Sequence, residues 1–173
     1  MKDYKVLFAD LDGTLIDTIS GETFPKGVWD MRFKFDVLDK IRELKPEAIM
    51  IVSNQGGIEK GLVEECHFVD KIRYIASAIK EYTGVKCCWY EYCSSNDKSN
   101  EFRKPNVGML EKTFRWVNSG LRFTECGIVP LTLKDCLMIG DASGKQGQFS
   151  DSDKKTAENF GIDYLDVDDF VSV

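Results

Sequence analysis

The sequence predicts an open α/β sheet, mostly parallel, with helices on both faces. Three observations predict it. Short apolar runs alternate with segments of helical period along the chain. Several of these runs stop at a small polar or acidic residue, which places reactive groups beyond the carboxyl ends of strands, where open parallel sheets bind ligands. No linker, internal repeat or low-complexity stretch divides the 173 residues, so one domain over residues 1–173 is expected.

The first run, Val6–Ala9, stops at Asp10, and Gly13-Thr14 reads as the turn after it. Met31-Arg32-Phe33-Lys34-Phe35 alternates with period two, so a small hairpin or flap is expected over about residues 16–35. Residues 37–45 have helical period, and Pro46, which cannot continue a helix, ends it. Ala48–Asn54 is a second buried strand. Residues 58–82 read as one long amphipathic helix with Ile72, Ile75, Ala76 and Ile79 on one face. A third strand is expected over 85–93, then a polar loop over 94–106 and a helix around 107–118. After a turn-rich segment, Cys136–Gly140 is a strand that stops at Asp141. Residues 152–161 have serine and aspartate at the start and glycine at the end, as helix capping favours, and 162–166 form a last short strand.

Composition narrows the function classes. No apolar stretch reaches the roughly 20 residues of a membrane helix, and the first residues lack a signal peptide's cleavage region, so a cytoplasmic protein is expected, or a nuclear one in a eukaryote. Six cysteines in such a chain read as reduced thiols. Their cluster at 87–93 has neither paired C-x-x-C spacing nor a nearby histidine, which argues against structural zinc. The formal charge of −6 opposes a broad nucleic-acid surface. It leaves room for a small basic site drawn from Lys26, Arg32, Lys34, Arg103, Lys104 and Lys145, all in or near expected loops.

Asp10 and Asp12 are two anions at one strand end, an arrangement that a shared hard cation makes tolerable. Together with Ser53, Lys104 and Asp141 they meet the demands of phosphate-ester hydrolysis. One carboxylate can attack phosphorus, a second acid can protonate the leaving oxygen, and a hydroxyl and an ammonium can hold the phosphoryl oxygens. Magnesium would lower the repulsion between an anionic nucleophile and an anionic substrate.

"DLDGTL", "VSN", "RKP" and "MIGDAS" resemble, in order and approximate spacing, the four motifs of the haloacid dehalogenase superfamily. The resemblance implies a Rossmann-like sheet with a small flap and no large cap domain. It further implies Asp10 as nucleophile, Asp12 as general acid and base, Ser53 and Lys104 as phosphoryl-binding groups, and a Mg2+ ion held by Asp10, the main-chain carbonyl of Asp12 and Asp141. The segments "WDMRF", "SNQGGIEKG", "FRKPNVGM" and "GDASGKQGQFSDSDKKTAENFGI" are similar to the phosphatase domain of polynucleotide kinase 3′-phosphatases, which remove 3′-phosphate from DNA ends. That likeness implies Asp153 as the second acid of the fourth motif, with Asp151 as its rival. Asn54 and Arg32 complete the expected substrate contacts.

The bifunctional relatives also carry a G-x-x-x-x-G-K-[ST] kinase loop. None occurs here, and "GDASGKQ" is one residue short of it, so neither kinase activity nor a nucleotide cofactor is expected. The leading expectation is a magnesium-dependent DNA 3′-phosphatase. Its rivals are a phosphatase for a small metabolite, of sugar phosphate or histidinol phosphate type, and an inactive module that binds phosphorylated ends or a protein. Phe24, Trp29 and Phe33 can stack on a base or pack the flap. His67, the sole histidine, is expected to be structural.

Overall fold

The computed structural model describes residues 2–22, 25, 27–119 and 131–173; Phe24 and Lys26, singled out above, and Cys126, one of the six cysteines, lie outside them. Strand β1 (Val6–Ala9) leads through a turn into an antiparallel pair, β2 (Ile16–Thr18) and β3 (Met31–Phe33). There follow α1 (Phe35–Leu44), β4 (Ala48–Asn54), α2 (Gly56–Glu59), α3 (Glu65–Thr83), β5 (Cys87–Cys93) and α4 (Gly108–Asn118). The chain closes with β6 (Cys136–Gly140), α5 (Ser152–Phe160), β7 (Asp163–Asp166) and α6 (Val167–Ser172). Five strands form one parallel sheet in the order β5-β4-β1-β6-β7. This is the expected open α/β sheet.

Because side chains alternate across a strand, each central strand feeds two cores. Leu7, Ala9, Ile49, Ile51, Leu137 and Ile139 point to the face covered by α1, α3 and α6. Val6, Phe8, Met50, Val52 and Met138 point to the opposite face, under α4 and α5. Every residue of β1 and β6 is buried, which explains why these strands read as unbroken apolar runs. The order reverses at β1: the chain lays β4 and β5 on one side of it and returns to place β6 and β7 on the other. Crossover connections diverge at such a point and open a crevice beyond the carboxyl ends of the flanking strands.

The structure alters four expectations. The helix expected over 58–82 is two helices, because Gly61 takes a left-handed φ of 68° and Glu64 is extended before α3 begins. Helix α1 stops at Leu44, one residue before Lys45 adopts a left-handed φ of 54°, so Pro46 follows the stop. The alternating run at 31–35 is strand only to Phe33; Phe35 already opens α1. Helix α6 has no counterpart in the sequence reading: it is capped by the Asp166 side chain, which accepts from the Asp168 amide. Among the described residues, no helix is long and apolar enough to cross a membrane.

The flap is held by polar contacts. Buried Asp30 accepts from the Ser20 amide at 2.8 Å and its hydroxyl at 2.9 Å. Phe33 packs inward against Phe35 and Tyr74, so that ring has the packing role, while Trp29 is exposed.

Helix α6 is anchored by Val167 and the fully buried Phe170. Phe170→Ala is expected to cost about 3–5 kcal/mol by urea denaturation, as for other large aromatic truncations in a core. A loss below about 1 kcal/mol would show that α6 is not part of the cooperative core.

Candidate active site

Register brings the acids together. Ala9 pairs with Ile51 on one side and Ile139 on the other, and the Asp10 amide continues the ladder by donating to the Ile139 carbonyl at 3.1 Å. Asp10 therefore emerges beside Asp141, which follows β6, and beside Ser53 near the end of β4. Two glycines make the approach possible. Gly13 has φ +82°, and a Cβ there would overlap the Asp141 carboxylate; a Cβ at Gly140 would overlap that of Asp153.

Lys104 arrives from the loop before α4 and is fixed at its backbone by a two-point clamp. Its amide donates to Asn54 Oδ1 at 2.9 Å, and Asn54 Nδ2 donates to its carbonyl at 3.1 Å. Its ammonium then reaches Asp10 Oδ1 at 2.5 Å and Asp153 Oδ1 at 2.6 Å, and only 4% of the residue is exposed. Asp153 Oδ2 accepts from the Ala142 amide at 3.1 Å. Gln55 Nε2 donates to Asp12 Oδ2 at 2.8 Å and to Ser53 Oγ at 2.9 Å, whereas the buried Asp12 Oδ1 has no hydrogen-bond partner among the described residues.

Electrostatics single out the same cluster. Burial pushes the Asp10 carboxyl well above the usual range; the Lys104 charge opposes this, and the Asp153 and Asp141 charges add to it. Burial, then the charge of Asp153, raises Asp141 from 3.8 to about 6. Burial disfavours the Lys104 charge, but Asp10 and Asp153 outweigh it and hold the ammonium protonated far into the alkaline range. Carboxylate oxygens of Asp10, Asp141 and Asp153 lie within 4.8 Å of one another. An all-oxygen set that faces a single ammonium fits a hard divalent cation.

These groups floor a cleft of about 610 Å³ that Asn54, Gly56, Lys60, Asn96, Lys98, Arg103 and Asn106 also line. Phe149, 76% exposed, lies at its edge and borders a smaller hollow formed by Asp12, Asp17, Pro25 and Asp141.

Of the residues singled out from sequence, Asp10, Asp12, Ser53, Asn54, Lys104, Asp141 and Asp153 converge here. Asp151, the rival of Asp153, lines the outer cleft and pairs with Lys155 at 2.7 Å at the start of α5, away from Lys104. Arg32 is not brought to the cleft: it faces Asp17 across the β2–β3 pair, and the two exposed side chains bridge at 3.0 Å. Lys34 donates to the Gly13 carbonyl at 2.9 Å, and Lys145 pairs with Asp166 and Asp169. His67 is exposed on α3. Lys60, Lys98, Phe149 and Gln55 carry no role in the sequence analysis above. The spacing of Ser53 and Gln55, two residues apart at a strand end, was the available signal, since period two puts both side chains on one side.

The family model described as "Polynucleotide kinase 3 phosphatase" matches residues 5–171. The chain belongs to this family. Members and relatives differ in length. The bifunctional polynucleotide phosphatase/kinase of Schizosaccharomyces pombe is 31% identical over 172 residues, which are 98% of this chain but 38% of that protein. The polynucleotide 3′-phosphatase of Saccharomyces cerevisiae is 40% identical over 74 residues, 41% of this chain and 31% of its own. The chain thus spans well under half of these two relatives. A 20.8 kDa protein of Autographa californica nuclear polyhedrosis virus, 27% identical, aligns over 99% of this chain and 88% of its own. Among solved structures, the D,D-heptose 1.7-bisphosphate phosphatase of B. bronchiseptica, complexed with magnesium and phosphate, superposes with a TM-score of 0.66 at 19% identity, over 92% of this chain and 78% of that one. A HAD-like phosphatase from Mesorhizobium loti gives 0.59 at 21% identity, over 94% and 71%. Both share the fold.

A pH dependence follows from the raised carboxyls. Between pH 3.8 and about 6 folded Asp141 keeps a proton that the unfolded chain has released, so metal-free stability falls as pH rises through that window. Aspartates held below their usual range, such as Asp166 at about 2, act mainly below pH 3.8; Glu59, held below 4.5, opposes the effect only at its acid edge, and Asp10, also raised, adds to it. Thermal melts in chelator from pH 4 to 7 are expected to lose on the order of 2 kcal/mol, and Asp141→Asn is expected to flatten the slope. An unchanged slope in that variant would assign it to other groups.

Proposed function

We propose that this chain is a magnesium-dependent phosphomonoesterase that removes 3′-phosphate from DNA ends by way of an aspartyl-phosphate on Asp10. The observation that carries the reading is the buried Lys104 ammonium bound to Asp10 and Asp153, beside Asp141 and at the tips of adjacent strands. Asp10, Asp141 and Asp153, with the main-chain carbonyl of Asp12, would hold Mg2+, which when bound screens the repulsion between carboxylate and phosphoryl oxygens.

Asp10 attacks phosphorus as the bond from phosphorus to the ester oxygen breaks, and Asp12 gives its proton to that oxygen, so the alcohol leaves neutral. Asp12 then takes a proton from water, whose oxygen attacks phosphorus; the bond to Asp10 breaks and inorganic phosphate departs. Lys104 fixes the orientation of Asp10 throughout, and Ser53 donates to a phosphoryl oxygen.

Two features favour a strand end over a small metabolite. Among the described residues the short β2–β3 pair is the one small flap beside the sheet, and Lys60, Lys98 and Arg103 on the wall of the cleft suit the phosphates of a following strand. The exposed Phe149 ring at the edge suits a base. Membership in a family whose model is described as a polynucleotide phosphatase supports the same choice.

Phosphate release is expected to be fastest from a 3′-phosphorylated oligonucleotide, against 5′-phosphorylated DNA and sugar phosphates; equal or reversed rates would favour a metabolite enzyme. Asp10→Asn is expected to lower turnover by at least about 10³-fold with the melting curve preserved. Retained turnover would remove Asp10 as nucleophile. Phe149→Ala is expected to raise KM for the oligonucleotide by about 10-fold or more, with little change for p-nitrophenyl phosphate. An equal change for both would show that the ring does not meet a base.

A further inference from the structure

Gln55 lies behind the reacting groups: it touches Asp12 and Ser53 yet does not line the cleft that both of them border. Its backbone is fixed by an amide bond to the Cys93 carbonyl at 2.7 Å and by the Ile58 amide donating to its own carbonyl at 3.1 Å. The side chain is therefore delivered from a built position between β4 and α2. An ionised carboxylate only accepts hydrogen bonds, so the contact with Asp12 Oδ2 requires the NH2 end of the amide to face this pair.

We infer that Gln55 is a positioning residue for both partners of the leaving group and the phosphate: by engaging Asp12 Oδ2 it leaves Oδ1 as the oxygen that exchanges a proton with the substrate, and by donating to Ser53 Oγ it turns the serine proton into the cleft. The inference rests on the phosphatase reading above. Two observations meet in it. The buried Asp12 Oδ1 has no partner among the described residues, which is costly for a carboxylate oxygen unless a substrate or water group completes it. The Ser53 oxygen already accepts from Gln55, and Ser53 is 3% exposed, so its own O–H is directed to the one side that opens on the cleft. In the step concerned, the proton on Oδ1 passes to the ester oxygen as the phosphorus–oxygen bond breaks, and the carboxylate left behind keeps its second oxygen on the Gln55 amide.

The test uses leaving groups, because a poor leaving group needs the proton from Asp12 and a good one does not. Turnover of a 3′-phosphorylated oligonucleotide, an alkyl ester, is compared with that of p-nitrophenyl phosphate, an aryl ester, in unaltered protein, Gln55→Met, Asp12→Asn and the double variant, with melting curves to confirm folding. Gln55→Met keeps the length and removes the donor. It is expected to lower the alkyl-to-aryl rate ratio by about 10-fold or more, a fraction of the 10²–10⁴ that a positioned acid contributes. Asp12→Asn is expected to lower the ratio further, and Gln55→Met in that background to change it no more. An alkyl-to-aryl ratio unchanged in Gln55→Met, whatever loss the two esters share through Ser53, with a selective loss in Asp12→Asn, would overturn the role of Gln55 toward Asp12 while sparing that of Asp12. No selective loss in Asp12→Asn, or no turnover by unaltered protein, would sink the acid and its positioning residue together. Should Gln55→Met melt far below the unaltered protein, Gln55→Leu and Gln55→Glu carry the same ratio test. A normal ratio in any folded variant without the donor overturns the proposal.

Discussion

Three carboxylates and one ammonium share the space beyond β1 and β6, and the ammonium of Lys104 lies against two of them. Taking such charges out of water costs several kcal/mol each, and an apolar set of similar volume is often at least as stable. The cluster therefore does not exist to hold the fold. Breaking it is another matter: without Lys104, Asp10 and Asp153 would face one another buried and uncompensated, which is the arrangement that burial penalises most. Everything near the site can be understood as a way to place that one amine. Asn54 clamps the Lys104 backbone from the tip of β4, and glycines at 13 and 140 clear room for the carboxylates it organises.

The topology supplies these parts from far apart in the chain without long connections. Because β1 sits between β4 and β6, the residues that follow all three strands emerge side by side. Ser53, Asn54 and Gln55 then divide the labour at the end of β4. Period two sends Ser53 and Gln55 one way, toward Asp12, and Asn54 the other, toward Lys104. Three consecutive residues thereby tie the second strand of the site to the other two elements, and a shift of one residue in the pairing of β4 would disconnect all of them.

This logic decides what could be read in advance. The central strands were legible because burial on both faces demands unbroken apolar runs, and β4 and β6 were located to the residue. Asp10, Asp12, Ser53 and Asp141 were legible because each stands where an apolar strand ends, and Lys104 was singled out from the other loop cations by the motif resemblance. Asp153 was preferred to Asp151 by resemblance alone, since the two stand one turn or less apart at the start of a helix and only the packing of α5 against β6 decides which one turns inward. Arg32 looked available because its partner Asp17 is distant in sequence and is met only through hairpin register. The role of Gln55 was not legible, because its bonds run to one residue two positions away and to another 43 away. The break between α2 and α3 was hidden by continuing helical period on either side of Gly61, whose left-handed backbone ends the turn.

The net charge of −6 and the basic wall of the cleft are reconciled by range. At physiological ionic strength charges act over about 8 Å, so a phosphate inside the cleft meets Lys60, Lys98 and Arg103 on the wall, beside a floor where Lys104 is paired with Asp10 and Asp153 and a divalent cation would offset the remaining aspartates, and it is screened from most acids elsewhere. Outside it, acids outnumber cations and disfavour contact with a phosphate backbone, because a duplex laid along the surface would meet net repulsion. For the proposed substrate this is selective. A continuous strand offers only backbone, which the acidic exterior resists, whereas a terminus offers a doubly charged phosphate that can enter the cleft end first. Arg103, whose guanidinium is fixed by a 2.6 Å bond to the Ser95 carbonyl, is placed to meet the phosphate that follows. An acidic protein with a narrow basic wall is thus a better reader of ends than a uniformly basic one, which would spend its time on the rest of the polymer.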